Sequence, residues 1–111
     1  MTIGNCLAAT AVLFGASAWS GAVLAYDAHL RKGQTIAEIQ CSRCHAIGKR
    51  DPSPLPQAPP LRSLAKRYPL YYLAEALAEG IMTGHRDMPM FKFDPDEIGA
   101  LLAYIGSISE N

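Results

Sequence analysis

The chain has 111 residues with ten basic and ten acidic side chains, so its formal net charge is zero. This balance excludes a strongly basic nucleic-acid binder and an acidic solvating tail, and the length allows one domain at most. All twenty charges lie at or after Asp27, which leaves residues 1–26 uncharged. The chain therefore consists of two physically different segments, and its three cysteines are too few for a disulfide-rich secreted scaffold.

The uncharged segment contains an apolar run, residues 7–25, that is rich in Ala, Gly and Ser. Val23 and Ala25 place short side chains at the third and first positions before a cut, which is the pattern that signal peptidase prefers. We therefore expect residues 1–25 to be a signal peptide and residues 26–111 to be exported to the periplasm as the folded domain.

A membrane anchor is the alternative interpretation of this run, because about 20 apolar residues can span a bilayer. Trp19 and Tyr26 would then lie at the membrane interface. The many small residues favour cleavage, with Ala18 as a second possible site, although the Lys or Arg that precedes most export signals is missing. Cys6 follows no lipidation pattern, so we interpret it as an ordinary small apolar residue.

The first predicted helix covers residues 28–40, with Asp27 as its cap and Gly33 interrupting its apolar face. That face consists of Leu30, Ile36, Ala37 and Ile39. Residues 46–63 contain five of the eight prolines, which exclude a regular helix or a central strand and predict a long loop. A loop of this length needs something to wrap around.

Two more helices are predicted after this loop. Pro69 suits a first helical position, and Gly80 and Gly84 end the segment that it opens. The apolar positions at helical spacing in this segment are Leu70, Leu73, Ala74, Leu77 and Ile81. Asp94 and Pro95 then supply the cap and first position of a last helix. Its apolar stripe consists of Ile98, Leu101, Leu102 and Ile105, and no strand-like alternation occurs anywhere.

The motif that indicates a bound cofactor is Cys41-Ser42-Arg43-Cys44-His45. The spacing Cys-x-x-Cys-His is the attachment pattern of c-type haem, in which two thiols bond the vinyl groups and the imidazole faces iron. A zinc site would need two more ligands, yet only His29 and His85 remain and neither belongs to a second pair. A thioredoxin-like pair would need a strand-and-helix fold. Covalent haem c also supplies the staple that a domain this small needs.

An iron atom held by His45 needs a sixth ligand if it only passes electrons, and methionine is the usual one in cytochromes c. Met82, Met88 and Met90 all follow the second predicted helix. We choose Met88, because Pro89 restricts the preceding residue to an extended backbone and so stiffens the loop. His85 is the alternative ligand on the same loop.

These residues resemble the monohaem class I cytochromes c of the small bacterial type, over about the whole of residues 26–111. The resemblance is carried by Gly33, the Cys-x-x-Cys-His motif, Ala58-Pro59-Pro60-Leu61, Met88-Pro89-Met90-Phe91 and the last helix. It implies an all-α fold in which three main helices and the proline-rich loop wrap around one covalently attached haem.

The resemblance also implies roles for individual residues. Pro59 would offer its carbonyl to His45, and Leu61 would lie on the haem. Gly33 would let the first helix cross the last one closely near Tyr104. The stretch after His45 departs from the family pattern, because it is longer and denser in proline.

We expect from these features an exported electron-transfer protein that transforms no substrate and is not an enzyme. Its partners would be redox proteins such as a dehydrogenase, an oxidase or another cytochrome, with no nucleic acid and with membrane contact only if the N-terminal segment stays uncleaved. A haem-bearing subunit of a larger oxidoreductase is an alternative function. A gas-binding sensor is another, and it would require an open sixth position.

The charges are distributed unevenly along the chain. Residues 27–67 carry eight basic and three acidic side chains, whereas residues 68–111 carry two basic and seven acidic ones. The molecule should therefore be a dipole whose positive pole includes the haem-attachment motif. This pole could orient the encounter with an acidic docking surface, or the two poles could simply be solvated faces.

Overall fold

The computed structural model describes residues 19–80 and 87–109, with the backbone alone for Trp19 and Ser20. Its helices are α1 (Trp19–Gln40), a 3₁₀ helix (Leu61–Ser63), α2 (Leu64–Arg67), α3 (Leu70–Glu79) and α4 (Pro95–Ile108). These two described ranges contain no strand, and the predicted all-α class is confirmed. The expectations for Cys6, Ala18, Ile81, Met82, Gly84 and His85 fall outside the described residues.

The first and last helices form the most extensive contact of the fold, and Gly33 makes it possible. A Cβ atom added at Gly33 would lie 2.0 Å from the carbonyl oxygen of Ala100 and 2.8 Å from Cβ of Tyr104. Only a residue without a Cβ atom allows the two backbones to approach so closely. The predicted crossing near Tyr104 is therefore confirmed. The adjoining core cluster consists of Ala37, Leu61, Leu101, Ile105 and Ile108.

Helix α1 differs from the predicted first helix in its start and in one apolar position. The helix already includes Trp19, so Asp27 lies inside it and is not a cap. The reason is that residues 19–26 contain no proline and several good helix formers, which continue the helix upstream. Ile39 is 72% exposed, because Gly33 and Ala37 define the buried face and Ile39 is about 200° around the helix from Ala37.

Helix α3 follows the prediction closely at its end and starts one residue later. Pro69 is the N-cap, with a φ of −56° and a ψ of 129°, and is not the first helical residue. Gly80 closes the helix in the left-handed region with a φ of 74°, a conformation that glycine adopts without steric cost. Helix α2 and the 3₁₀ helix before it were not predicted, because neither is long enough to show a hydrophobic period.

Helix α4 begins with the capping residues that the sequence predicts. The Glu97 backbone N–H donates to Asp94 Oδ1 at 2.8 Å, and the Asp94 N–H donates to Glu97 Oε2 at 3.0 Å. An ion pair between Lys32 and Asp96 joins this first turn to α1. The Lys32 ammonium lowers the pKa of the Asp96 carboxyl, and Asp96 in turn raises the pKa of Lys32.

The proline-rich stretch forms the predicted loop as far as Pro60, and α4 holds one end of it. The Tyr104 hydroxyl donates to the carbonyl oxygen of Ile47 at 2.8 Å, across a sequence separation of 57 residues. Burial, Glu38 and Asp51 together raise the pKa of Tyr104. The second residue after the haem-attachment motif is therefore fastened near the crossing of α1 and α4.

Within the ranges 19–80 and 87–109, no helix combines the length and the apolar character that crossing a bilayer requires.

We predict that Gly33→Ala lowers the free energy of unfolding by about 3 kcal/mol, the upper end of overpacking costs, because its methyl group meets backbone atoms. Gly99→Ala in α4 is the matched control, since its added Cβ meets only His29 at 3.7 Å. Alanine is the better helix former, so this control should be as stable as the unmutated protein or more stable. Urea unfolding at pH 7 measures both variants. Equal stability of the two variants would contradict the close crossing.

We predict that Tyr104→Phe destabilises the fold by about 1 kcal/mol at pH 7, because the Ile47 carbonyl loses its donor. The pKa of Tyr104 is raised on folding, so the unfolded chain ionises first and this tyrosine favours unfolding as pH rises above about 10. The difference in free energy of unfolding between the unmutated protein and Tyr104→Phe should therefore become smaller above that pH. Tyr68→Phe, at a tyrosine that is 52% exposed, is the control and should keep the stability of the unmutated protein at pH 7. Urea midpoints between pH 7 and 11 provide the measurement.

Candidate haem-binding site

The Cys-x-x-Cys-His motif continues the last turn of α1. The N–H of Cys41 donates to the Ala37 carbonyl at 2.9 Å, and the N–H of His45 donates to the Cys41 carbonyl at 2.9 Å. The Cys44 carbonyl accepts from the N–H of Leu55 at 3.1 Å, which ties the motif to the proline-rich loop. The end of α1 and the loop together therefore fix the backbone at Cys41, Cys44 and His45.

His45 is a buried imidazole, 8% exposed, whose tautomer is determined by its neighbour. Its Nδ1 atom lies 2.6 Å from the carbonyl oxygen of Pro59. Since a carbonyl oxygen can only accept a hydrogen bond, Nδ1 must carry the proton. The neutral ring then has its lone pair on Nε2, which is the form that ligates a metal. The structure thus brings Pro59 to the position that the resemblance implied for it.

A cavity of about 540 Å³ adjoins His45, within the range of pockets that hold organic cofactors. It is bordered by Cys41, His45, Gln57, Pro59, Leu61, Leu64, Arg67, Tyr68, Tyr72, Leu73, Asp87 and Met88. A smaller cavity of about 60 Å³ adjoins it and shares Cys41, Leu61 and Met88. A mostly apolar space that contains a thiol, an imidazole and a thioether fits the predicted haem in volume and in donor set.

Cys41 borders both cavities, and Cys44 is half-buried beside His45 in the chain. Neither forms a disulfide. Burial raises the pKa of the Cys41 thiol to about 11, so a charged thiolate is unfavourable here at neutral pH. A thioether carries no charge, and covalent attachment of haem therefore suits this environment.

The described part of the second predicted loop places the two remaining candidate methionines differently. Met88 is half-buried and borders both cavities, whereas Met90 is 71% exposed and borders neither. Phe93 anchors the following segment, because its N–H donates to the Leu77 carbonyl of α3 at 3.3 Å. Of the two, only Met88 lies where it can reach a group bound in the cavity.

Leu61 is 4% exposed, borders both cavities and donates its N–H to the Ala46 carbonyl at 2.9 Å. Five of the six predicted site residues therefore border one cavity, and the sixth, Cys44, is adjacent to His45 in sequence. Their sequence separations reach 47 positions between Cys41 and Met88, so the fold and not the local motif brings them together.

Several cavity residues were not predicted from the sequence. Among them Arg67 and Asp87 are the charged ones, and Tyr68 and Tyr72 are the aromatic ones. Leu64, Tyr68 and Tyr72 are spaced by four residues, which is a helical period, but Pro69 interrupts any single helix that would display them. The sequence therefore contains no periodic pattern from which this wall could be identified.

The two rival interpretations of the cysteine pair do not fit these positions. A zinc site would need His29 near the cysteines, yet His29 lies in α1 beside Gly99 of α4. A thioredoxin-like pair would need a strand before it, and Cys41 instead follows the 22-residue helix α1.

Comparison with known proteins agrees with this geometry. Residues 28–105 match the family model described as cytochrome c oxidase, cbb3-type, subunit III. The chain is 32% identical over 105 residues to cytochrome c-552 of Bradyrhizobium diazoefficiens, which covers 95% of this chain and 92% of that protein. No solved structure matches the chain.

The matched range contains the whole Cys-x-x-Cys-His motif, the proline-rich loop and Met88. The family match spans more than half of the chain, and the relative matches nearly its full length. The chain therefore belongs to the cbb3-type subunit III family of c-type cytochromes, and it is a small class I cytochrome that carries covalently bound haem c and transfers electrons.

Proposed function

We propose that this cytochrome is an exported carrier of single electrons, with its haem attached through Cys41 and Cys44 and its iron ligated by His45 and Met88. Bound haem supplies iron that alternates between the ferric and ferrous states. One geometric observation supports the proposal most strongly. A buried imidazole with its lone pair on Nε2 and a half-buried thioether border the same cavity.

The two proposed ligands would have complementary effects on a bound iron. The Pro59 carbonyl holds His45 as a neutral, oriented donor. The Met88 thioether is soft and neutral, so as a ligand it would favour ferrous over ferric iron and raise the reduction potential. Because Met88 would occupy the sixth position, a small gas would find no open site there, and we favour a carrier over a sensor.

The cavity wall supports a role in electron transfer without bond chemistry. Leu61, Leu64 and Leu73 border the space, and these side chains exclude water from it. A site of low polarity destabilises the more highly charged ferric centre and so adds to the effect of the thioether. We expect no substrate to be transformed there.

Export is supported by where α1 begins to contact the rest of the domain. Residues 21–28 are all exposed, and from residue 21 onward the first partly buried residues of α1 are His29 and Leu30. The family match begins at residue 28. Cleavage after Ala25 would therefore leave the core intact, and the haem would be attached in the periplasm.

Redox proteins with acidic docking surfaces are the partners we propose. Arg43 is exposed between the two cysteines, whereas the cavity border carries one basic and one acidic residue, Arg67 and Asp87. The positive charge that would meet a partner therefore lies at the haem-attachment motif. A fixed haem-bearing subunit of a larger oxidoreductase is the second candidate function, because the matched family is described as an oxidase subunit. Purification from detergent extracts at low salt separates the two, since a fixed subunit elutes with its complex in constant ratio.

We predict that Met88→Ala opens the sixth coordination position. The weak charge-transfer band at the red end of the ferric spectrum should disappear, and the ferrous protein should bind carbon monoxide. Met90→Ala is the matched control, because Met90 lies outside both cavities, and it should keep the spectrum of the unmutated protein. A low-spin Met88→Ala protein that resists carbon monoxide would show that another residue is the ligand, with His85 tested next.

We predict that the exported protein begins at Tyr26, because Val23 and Ala25 form the best cleavage site. The intact mass of the periplasmic, haem-loaded protein measures this directly. Ala25→Arg should block cleavage, whereas Gly21→Ala, outside the two recognised positions, should leave the mass of the mature protein unchanged. Recovery of a membrane-bound species that still contains residues 7–25 would instead support the anchor.

A further inference from the structure

The three residues after His45 have every backbone polar group tied to another part of the fold. Their three N–H groups donate to side chains: Ala46 to Ser53 Oγ at 2.9 Å, Ile47 to Asp51 Oδ2 at 3.2 Å and Gly48 to Asp51 Oδ1 at 2.9 Å. Their three carbonyl oxygens accept from distant residues: Ala46 from the Leu61 N–H at 2.9 Å, Ile47 from the Tyr104 hydroxyl at 2.8 Å and Gly48 from Arg62 Nη1 at 3.2 Å. A loop segment on a protein surface is normally solvated at several of these groups. Residues 46–48, here called the anchor segment, therefore fix the backbone of the histidine that precedes them.

Arg62 connects the anchor segment to the segment that carries the Pro59 carbonyl. Its Nη1 atom donates to the carbonyl oxygens of Gly48 at 3.2 Å and Asp51 at 2.9 Å, and lies 3.8 Å from the Asp51 carboxylate. The side chain is only 15% exposed, so water competes weakly for these bonds. The same Asp51 carboxylate accepts the N–H groups of Ile47 and Gly48. Arg62 and Asp51 therefore close the turn at residues 48–51 from both sides.

The two segments are linked at three successive points. His45 Nδ1 meets Pro59 O, Leu61 N–H meets Ala46 O, and Arg62 meets Gly48 O. Residues 45–48 and residues 59–62 therefore lie side by side. The link through Arg62 is the one farthest from the His45 imidazole. Releasing that link would let the turn at residues 48–51 move relative to residues 59–62, and the His45–Pro59 hydrogen bond joins the same two segments.

We propose that Arg62 is a positioning residue that sets the strength of the His45–Pro59 hydrogen bond and, through it, the balance between ferric and ferrous iron. This inference rests on the proposed function, in which His45 ligates the iron. A stronger bond from Nδ1–H makes the imidazole more basic and favours ferric iron. Loosening the clamp formed by Arg62 and Asp51 therefore raises the reduction potential. Loss of the Arg62 charge alone would act in the opposite direction, because removing a nearby cation favours the ferric state.

The test uses substitutions that keep the charge. Arg62→Lys retains the cation but cannot reproduce the planar guanidinium that spans two carbonyl groups. We expect a higher midpoint potential and about tenfold faster hydrogen exchange of the His45 Nδ1 proton, measured by NMR on the reduced, haem-loaded protein. Arg50→Lys is the matched control, because Arg50 is exposed on the same turn, and both values should equal those of the unmutated protein.

Asp51→Glu provides a second variant, since it also keeps its charge and displaces the carboxylate that Ile47 and Gly48 share. It should shift the potential and the proton exchange in the same direction, and it decides the question if Arg62→Lys gives no haem-loaded protein. An unchanged potential and unchanged exchange in the folded variants would overturn the role of Arg62. Failure of the proposed ligation would appear separately, as the absence of a low-spin His/Met spectrum in the unmutated protein.

Discussion

The hydrogen bond between His45 Nδ1 and the Pro59 carbonyl is the contact on which the haem site depends. It assigns the proton to Nδ1, leaves the lone pair on Nε2 and fixes the plane of the ring. The loop on which Pro59 lies must therefore return to the motif from which it departed. Five prolines and a series of backbone bonds bring it back, so the proline-rich stretch serves a structural purpose that its length alone does not reveal.

The crossing of α1 and α4 provides the base for this arrangement. Gly33 lets the two backbones approach, and the motif follows at the end of α1, two turns further along the chain. Tyr104, which packs against Gly33, also holds the Ile47 carbonyl beyond the motif. One close contact therefore positions both the helix that leads into the haem attachment and the segment that leaves it.

The fold class and most of the candidate site could be predicted from local patterns. Asp94 with Glu97 and Gly80 each act within one turn of their own helix, and the haem motif is contained in five residues. Contacts between residues that are far apart in the sequence could not be predicted from local patterns. The exposure of Ile39 depends on which face of α1 meets α4, and the bonds of Arg62 to Gly48 and Asp51 depend on the path of the loop. The placement of Met88 at the two cavities that Cys41 also borders likewise depends on how α3 and the segment anchored by Phe93 pack.

The geometry of the site supports the proposal that Cys41, Cys44 and His45 together hold one haem. Peptide mapping of the exported protein by mass spectrometry, after alkylation of free thiols, tests it most directly. We expect one haem mass on the peptide that contains Cys41 and Cys44, retained after acid–acetone extraction and with neither thiol alkylated. Recovery of that peptide without haem, alkylated at both cysteines, would contradict the claim.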